Sequence, residues 1–377
     1  MSTVLITGAR APVAVDLARS FAAAGYEVHI ADSVTGWAAR SSRAVATTHL
    51  LPSPRADFPG FARALQDLMR RLDPVAIIPT CEEIFYLAAA GLGDKVLAPP
   101  LAMLRTLHSK VAFASHARAL GLAAPDTWRI ETRAALDALP VAPQDLVLKP
   151  EFSRFATRTL IRPTRAQYAT IDPTPEYAWA AQRFVVGEEL CLWSFVRAGR
   201  LVASVVYRPT WRHGRAAAYA FEAVDCPAAT EIARSIAAAD TLTGHLSFDL
   251  IVTPDGMIVP IECNPRAVSG LHLFDARPEL ARAMLGGGEA HPAGGLRYLG
   301  PAMLLLGLPT ALGSGRLGAL ARDIGRGHDA VGRPGDRRPV LGALLDATRF
   351  TAQALASQRS AAGATTADIE WNGELIA

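Results

Sequence analysis

Two apolar segments on either side of a tight turn constrain the fold of this chain most strongly. Residues 248–253 and 257–262 flank Pro254, Asp255 and Gly256. Proline presets the backbone angles of a turn, and glycine accepts the left-handed conformation that the reversal requires. The sequence therefore predicts an antiparallel β-hairpin here, so this part of the chain cannot be a continuous parallel sheet.

The N-terminal part follows a different pattern, in which short apolar strands alternate with helices. Such alternation predicts an open parallel sheet, and residues 3–32 predict its opening βαβ unit. The predicted elements are strands at 3–8, 26–32, 75–79 and 97–100 and helices at 13–24, 61–72 and 82–90. This pattern ends near residue 104.

The rest of the chain mixes strands and helices without that alternation. Strands are expected at 125–130, 145–149, 182–195 (a pair interrupted at Gly187) and 201–207, and helices at 110–120, 134–139, 230–242 and 341–358. From about residue 290 the chain is rich in Gly and Arg before its last helix. The sequence thus predicts a mixed α/β and α+β protein in three parts, 1–104, 105–289 and 290–377.

The hairpin carries polar side chains that suit a metal ion. Glu262 and Asn264 differ by two positions, so both point to one face of their strand, and Asp249 lies on the partner strand. Carboxylate and amide oxygens together with nucleotide phosphates are the ligands that Mg²⁺ prefers. Arg266 follows directly and could hold a phosphate or a developing negative charge. A solvated hairpin face carrying unrelated acids is the alternative.

Lysine is rare in this chain, because the 38 Lys and Arg residues include only three lysines. Lys149 ends an apolar strand, and Lys110 opens a helix. A lysine ammonium reaches a phosphate as a compact point charge, whereas arginine favours flat, bidentate partners. Lys110 and Lys149 are therefore candidates for phosphate contacts, and Lys95 has no assigned role.

These residues together resemble the ATP-grasp superfamily over roughly residues 105–275, and the segment before them resembles its Rossmann-like pre-ATP-grasp domain. The resemblance implies a two-subdomain module that closes over ATP and Mg²⁺, or Mn²⁺ in its place. It also implies an ATP-dependent ligase that activates a small carboxylate as an acylphosphate and joins it to an amine. The residues carried over are Lys110 and Lys149 at the phosphates, Gln182 and Val185 at the adenine, Glu189 at the ribose, Asp249, Glu262 and Asn264 at the metal, and Arg266 with both lysines in catalysis.

One segment departs from the family pattern. The mobile phosphate loop of the family is usually rich in Gly and Ser, but residues 150–158 contain no glycine. Glycine permits close approach of the backbone to phosphate. In its absence the hydroxyls of Ser153 and Thr157, together with Arg154 or Arg158, would have to supply the phosphate contacts.

The same residues leave other functions open. A non-catalytic ATP-binding regulator is compatible with the glycine-free loop, and a carboxyphosphate-type carboxylase uses the same fold. Asp32 ends the second strand, where a dinucleotide-binding fold places its ribose acid, but the turn after the first strand lacks GxGxxG.

The composition of the chain limits the classes of molecule that it is expected to bind. A net charge of +3 without a dense basic stripe argues against nucleic acid, and no apolar segment is long enough to predict a membrane span. Four widely spaced cysteines predict reduced thiols and a cytoplasmic protein. The expected partners are small carboxylate and amine substrates, and the C-terminal region could support a homodimer.

Overall fold

The computed structural model describes residues 1–153, 158–212, 214, 218–358 and 360–376. The strands are Thr3–Thr7 (β1), Glu27–Asp32 (β2), Thr47–Leu50 (β3), Ala76–Ile78 (β4), Thr127–Ile130 (β5), Leu146–Pro150 (β6), Leu160–Ile161 (β7), Trp179–Arg183 (β8), Glu188–Arg197 (β9), Arg200–Arg212 (β10), Ala218–Val224 (β11), Gly244–Val252 (β12), Ile258–Asn264 (β13), Leu296–Tyr298 (β14) and His328–Asp329 (β15).

Helices cover the sheets and connect them. The α-helices are Pro12–Ala23 (α1), Trp37–Ser41 (α2), Phe58–Leu72 (α3), Glu83–Ala89 (α4), Leu101–His108 (α5), Lys110–Ala119 (α6), Arg133–Asp137 (α7), Arg165–Ala169 (α8), Pro227–Ala239 (α9), Pro278–Met284 (α10), Gly300–Ala302 (α11), Leu308–Gly313 (α12), Leu317–Arg326 (α13), Arg338–Ser357 (α14) and Ala361–Ala364 (α15). Short 3₁₀ turns lie at Gly93–Lys95, Pro143–Asp145 and Ser269–Phe274, and a π-helical turn lies at Met303–Gly307.

The N-terminal sheet is four-stranded and parallel, in the order β3-β2-β1-β4. Its central strand β1 is fully buried at Val4, Leu5 and Ile6 because helices cover both faces, as parallel sheets require. The predicted βαβ opening is confirmed. The strand predicted at 97–100 is wrong: only Val96 bridges to β4, and Pro99 and Pro100 have no N–H groups to extend a ladder. The edge strand β3 was missed.

The largest sheet has seven strands in the order β13-β12-β9-β10-β11-β14-β15. All its pairs are antiparallel except β14–β15, and the predicted hairpin is confirmed as β12–β13. One face packs on α6 and α9 through a core that includes Phe113, Ile236 and Phe248, and the other packs towards α1 and α10. The strands β14 and β15 come from beyond residue 290, and the two predicted boundaries between the three parts stay predictions.

A smaller antiparallel sheet, β5-β8-β6-β7, stands apart from the large one with its own core. The two strands predicted within 182–195 are confirmed as β8 and β9, but they do not pair with each other because they belong to different sheets. Gly187 lies in the crossing between them, where a Cβ would come 2.2 Å from the carbonyl oxygen of Val252. A glycine is needed there so that the chain can pass from one sheet to the other.

The C-terminal residues return to the N-terminal sheet. Helix α14 packs against α2, and Asp346 accepts hydrogen bonds from the backbone N–H groups of Trp37 and Ala38 at the start of α2. Within the described part of the chain, no helix combines the length and apolar character needed to cross a bilayer. All four cysteines are free.

Candidate active site

A cavity of about 340 Å³ opens where β6 and β8 of the small sheet face β9, β12 and β13 of the large one. Most residues singled out from the sequence line it: Lys149, Ser153, Gln182, Val185, Glu189, Asp249, Glu262, Asn264 and Arg266. Lys110 lies directly behind this wall. Arg154 and Thr157 fall outside the described residues. The two sheets thus bring together side chains that are more than 100 positions apart in sequence.

Glu262 lies between two lysines at the back of the cavity. Lys149 Nζ is 3.2 Å from Glu262 Oε2, and Lys110 Nζ is 3.8 Å from Glu262 Oε1. The side chains of Lys110, Lys149 and Glu262 are only 1%, 5% and 18% exposed. Burial lowers the pKa of Lys110, whereas the two ammonium groups outweigh burial and lower the pKa of Glu262. The cluster is a cationic pocket held around one carboxylate.

Backbone carbonyls hold both lysines in place. Lys110 Nζ donates to the carbonyl oxygens of Glu151 (3.3 Å) and Ser153 (3.2 Å). Lys149 Nζ donates to the carbonyl of Ile261 (3.4 Å). Lys110 begins α6, whose N-cap Ser109 accepts from the backbone of the helix. Both side chains are flexible, but hydrogen bonds to the backbone that borders the cavity fix the position of each ammonium group. For Lys110 these acceptors lie in residues 151–153, and for Lys149 the acceptor is Ile261.

Asp249 faces Glu262 across the hairpin, because the two residues are paired in the register of β12 and β13. Burial is the main cause that raises the pKa of Asp249 to about 6, and the charge of Glu262 adds to it. Cys191 Sγ lies 3.5 Å from Asp249 Oδ1. Two carboxylates held this close in a buried wall favour a cation between them.

The donor set suits magnesium. Asn264 adds an amide oxygen to the two carboxylates on the same cavity wall. Among the described residues, no group of three or more His, Cys, Asp or Glu side chains could hold a metal by itself. Two carboxylates with room for phosphate and water is the arrangement that Mg²⁺ uses, and a cation would offset the repulsion between Asp249 and Glu262. The residues fit that ion.

Arg266 stands at the far end of the same wall. Its Nη2 donates to Asn264 Oδ1 at 3.1 Å, and its Nε lies 3.9 Å from Glu82 Oε1. Glu82 comes from the carboxyl edge of the N-terminal sheet and is fully buried. No local pattern around Glu82 indicates its contact with Arg266, which lies 184 positions away.

Gln182, Val185 and Glu189 line the opposite end of the cavity. Gln182 Nε2 donates to Thr127 Oγ1 and to the carbonyl of Ile261, both at 3.3 Å, and Val185 lies beside it. Glu189 faces the cavity and pairs with Arg212 Nη1 at 2.9 Å. Arg212 was not predicted as a partner of Glu189.

Asp32 is not available to a dinucleotide. Arg10 forms buried hydrogen bonds and an ion pair with the Asp32 carboxylate, and the same guanidinium binds Asp368. Because its oxygens are already held by Arg10, a ribose hydroxyl would have to displace a buried ion pair. The geometry argues against dinucleotide binding at Asp32.

No family model and no curated protein sequence matches the chain, but solved structures do. An L-amino acid ligase from Bacillus licheniformis is 15% identical with a TM-score of 0.56, covering 75% of this chain and 74% of that one. Phosphoribosylamine–glycine ligase from Thermotoga maritima is 17% identical, with a TM-score of 0.60 and 78% of both chains covered. N5-carboxyaminoimidazole synthetase from Staphylococcus aureus, complexed with ADP, is 12% identical, with a TM-score of 0.62 and 83% and 86% covered. The chain shares its overall fold with these ligases, which confirms the predicted fold class.

Proposed function

We propose that the protein is an ATP-dependent ligase that activates a small carboxylate as an acylphosphate, joins it to an amine, and releases ADP and phosphate. The observation that carries the proposal is the buried cluster in which Lys110 and Lys149 flank Glu262, with Asp249 and Asn264 on the same cavity wall. Ligases with this fold, including one complexed with ADP, support it.

The cations would hold the transferring phosphoryl group. Lys110 and Lys149 are buried point charges fixed by backbone carbonyls, so they lose little freedom when a phosphate arrives. Phosphoryl transfer depends mainly on positioning and on neutralising charge over the equatorial oxygens. Arg266, at the far end of the wall, would neutralise the carboxylate or the departing phosphate.

Asp249, Glu262 and Asn264 would hold Mg²⁺. When bound, the ion supplies charge neutralisation at the nucleotide phosphates. The protein side chains themselves contribute a buried, mostly pre-formed wall in which Glu262 is kept ionised by its two lysines.

The other end of the cavity would receive the nucleoside. The Gln182 amide and the backbone at Val185, which line that end, would form hydrogen bonds with the adenine edge. Glu189 would accept from the ribose hydroxyls, with Arg212 holding its carboxylate in orientation. Ser153 lies at the start of the segment that would cover the phosphates together with Arg154 and Thr157.

The chemistry would proceed in two steps. A carboxylate oxygen attacks the γ-phosphorus, the bond to the β–γ bridging oxygen breaks, and ADP leaves. The amine nitrogen then attacks the acyl carbon, loses a proton, and phosphate leaves with the former carboxylate oxygen. Closure over the cavity would exclude water, which otherwise hydrolyses the acylphosphate.

Incubation with Mg·ATP and pooled small carboxylates and amines tests the proposal. We expect ADP release that needs both pools, and a product whose mass is that of acid plus amine minus water. The matched control is Glu262→Gln, which should remove this activity while keeping the fold. Nucleotide binding without ADP release in any pool would favour a regulator, and activity that depends on bicarbonate would favour carboxyphosphate chemistry.

A further inference from the structure

A segment near the end of the chain covers the carboxyl edge of the N-terminal sheet. Residues 365–374, here called the strap, contact a residue that follows each of the four parallel strands. Arg10 follows β1, Ser33 follows β2 and Ser53 follows β3, and the side chains of all three donate hydrogen bonds to Asp368 or to a backbone carbonyl near it. Glu82 follows β4, and its carboxylate accepts a hydrogen bond from the backbone N–H of Trp371 at 3.4 Å. In open α/β sheets this edge is the usual ligand crevice. Here the chain itself fills it.

Trp371 is the centre of the strap's packing and is 1% exposed. Its ring stacks on Phe85 (centroids 4.6 Å apart), meets Phe152 edge-on (5.0 Å) and lies 6.3 Å from His108. Gly373 passes so close to Phe152 that a Cβ there would lie 2.8 Å from the ring. Aromatic contacts of this kind stabilise a fixed arrangement beyond the area that they bury.

Two members of this cluster belong to the segments that position Lys110. His108 is the last residue of α5, two positions before Lys110. Phe152 lies between Glu151 and Ser153, whose carbonyl oxygens accept from Lys110 Nζ. Trp371 therefore contacts both the segment that carries the ammonium group and the segment that carries its acceptors.

We propose that Trp371 is a positioning residue that acts through Phe152 and His108 to hold Lys110 in place for a nucleoside triphosphate. The inference rests on the proposed function, since it takes Lys110 as a phosphate contact. It assigns the strap a role at the nucleotide site, although Trp371 does not line the cavity. A shift of about 1 Å in such a contact is enough to change activity on the order of a hundredfold.

The test compares four full-length variants by calorimetric binding of Mg·ADP and by the KM for ATP and kcat, well below their unfolding temperatures. The variants are Trp371→Ala, Phe152→Ala, the double variant and Trp371→Phe. We expect the first two each to weaken nucleotide binding about tenfold, Trp371→Phe to weaken it about threefold, and the double variant to match the single ones, because both changes break one path. The KM for ATP should rise more than kcat falls.

Leu375→Ala is the matched control, since Leu375 adjoins the strap but is 84% exposed, and it should bind as wild type does. Wild-type affinity in folded Trp371→Ala, or additive effects in the double variant, would overturn the inference. If Trp371→Ala does not fold, the same comparison of nucleotide binding is made with Trp371→Phe, Phe152→Leu and their double variant. Additive losses of affinity in that double variant would again overturn the inference. A wild-type protein that binds no nucleotide would instead refute the proposed function.

Discussion

Replacing Glu262 by glutamine should destabilise the free protein and remove its response to magnesium. The substitution keeps the shape of the side chain but leaves two nearly buried ammonium groups, at 3.2 and 3.8 Å, without their carboxylate. Removing one partner of a buried ion pair costs about 3–5 kcal/mol, and the 18% exposure of Glu262 brings the expectation to about 2–4 kcal/mol. That corresponds to a melting temperature lower by on the order of 5 °C.

Thermal unfolding with and without ligand is the assay. Wild type at a hundred times its dissociation constant for Mg·ATP should gain about 2.7 kcal/mol, and the variant should gain no more with Mg·ATP than with metal-free ATP. Metal-free ATP should bind the variant at least as tightly as it binds the wild type, because Lys110 and Lys149 no longer face a carboxylate in the variant. Glu188→Gln is the matched control, since its ion pair with Arg208 is exposed and worth about 0.2–1 kcal/mol. Unchanged stability in Glu262→Gln together with a wild-type magnesium response would refute the reasoning.

Three further predictions concern nucleotide contacts and pH. Lys149→Arg should weaken ATP binding about tenfold in calorimetry, because a planar fork cannot replace the ammonium between two acceptors; wild-type affinity would count against the phosphate role. Glu189→Gln should weaken binding of ATP more than that of its 2′,3′-dideoxy analogue, and equal losses would remove the ribose assignment. Burial lowers the pKa of His245 to about 3, so below the unfolded-state pKa of about 6.5 only the unfolded chain takes up a proton. This histidine should therefore reduce the unfolding free energy by about 1.4 kcal/mol per pH unit from pH 6.5 downwards, leave it unchanged above, and show no such slope in His245→Gln; equal slopes in both proteins between pH 6.5 and 5 would contradict it.

The hairpin and its polar residues could be predicted because their signals are local. Pro254 and Gly256 fix the turn, and alternation along a strand places Glu262 and Asn264 on one face. The cavity then follows from the fold, because the small sheet closes over that face. The pairing of Lys149 with Glu262 was not predicted, since nothing near either residue specifies a partner 113 positions away.

The strap and the strand wrongly predicted at 97–100 show what local sequence patterns cannot predict. The apolar residues at 97–100 suggested a strand, yet two prolines remove the donors that a ladder needs. The contact between Arg10 and Asp368 spans 358 positions. Only the folded chain therefore reveals that Arg10 binds both Asp32 and the strap. The contact between Glu82 and Arg266 spans 184 positions in the same way, so nothing near either residue in the sequence indicates it.

The most direct measurement of the central claim follows oxygen from substrate to phosphate. Carboxylates labelled with ¹⁸O are incubated with the protein, Mg·ATP and amines, and the released phosphate is analysed by mass. An acylphosphate mechanism predicts one ¹⁸O atom in phosphate for each amide formed, and none with Glu262→Gln. ADP release with unlabelled phosphate would contradict the account. So would phosphate that carries ¹⁸O only when labelled bicarbonate replaces the labelled carboxylates.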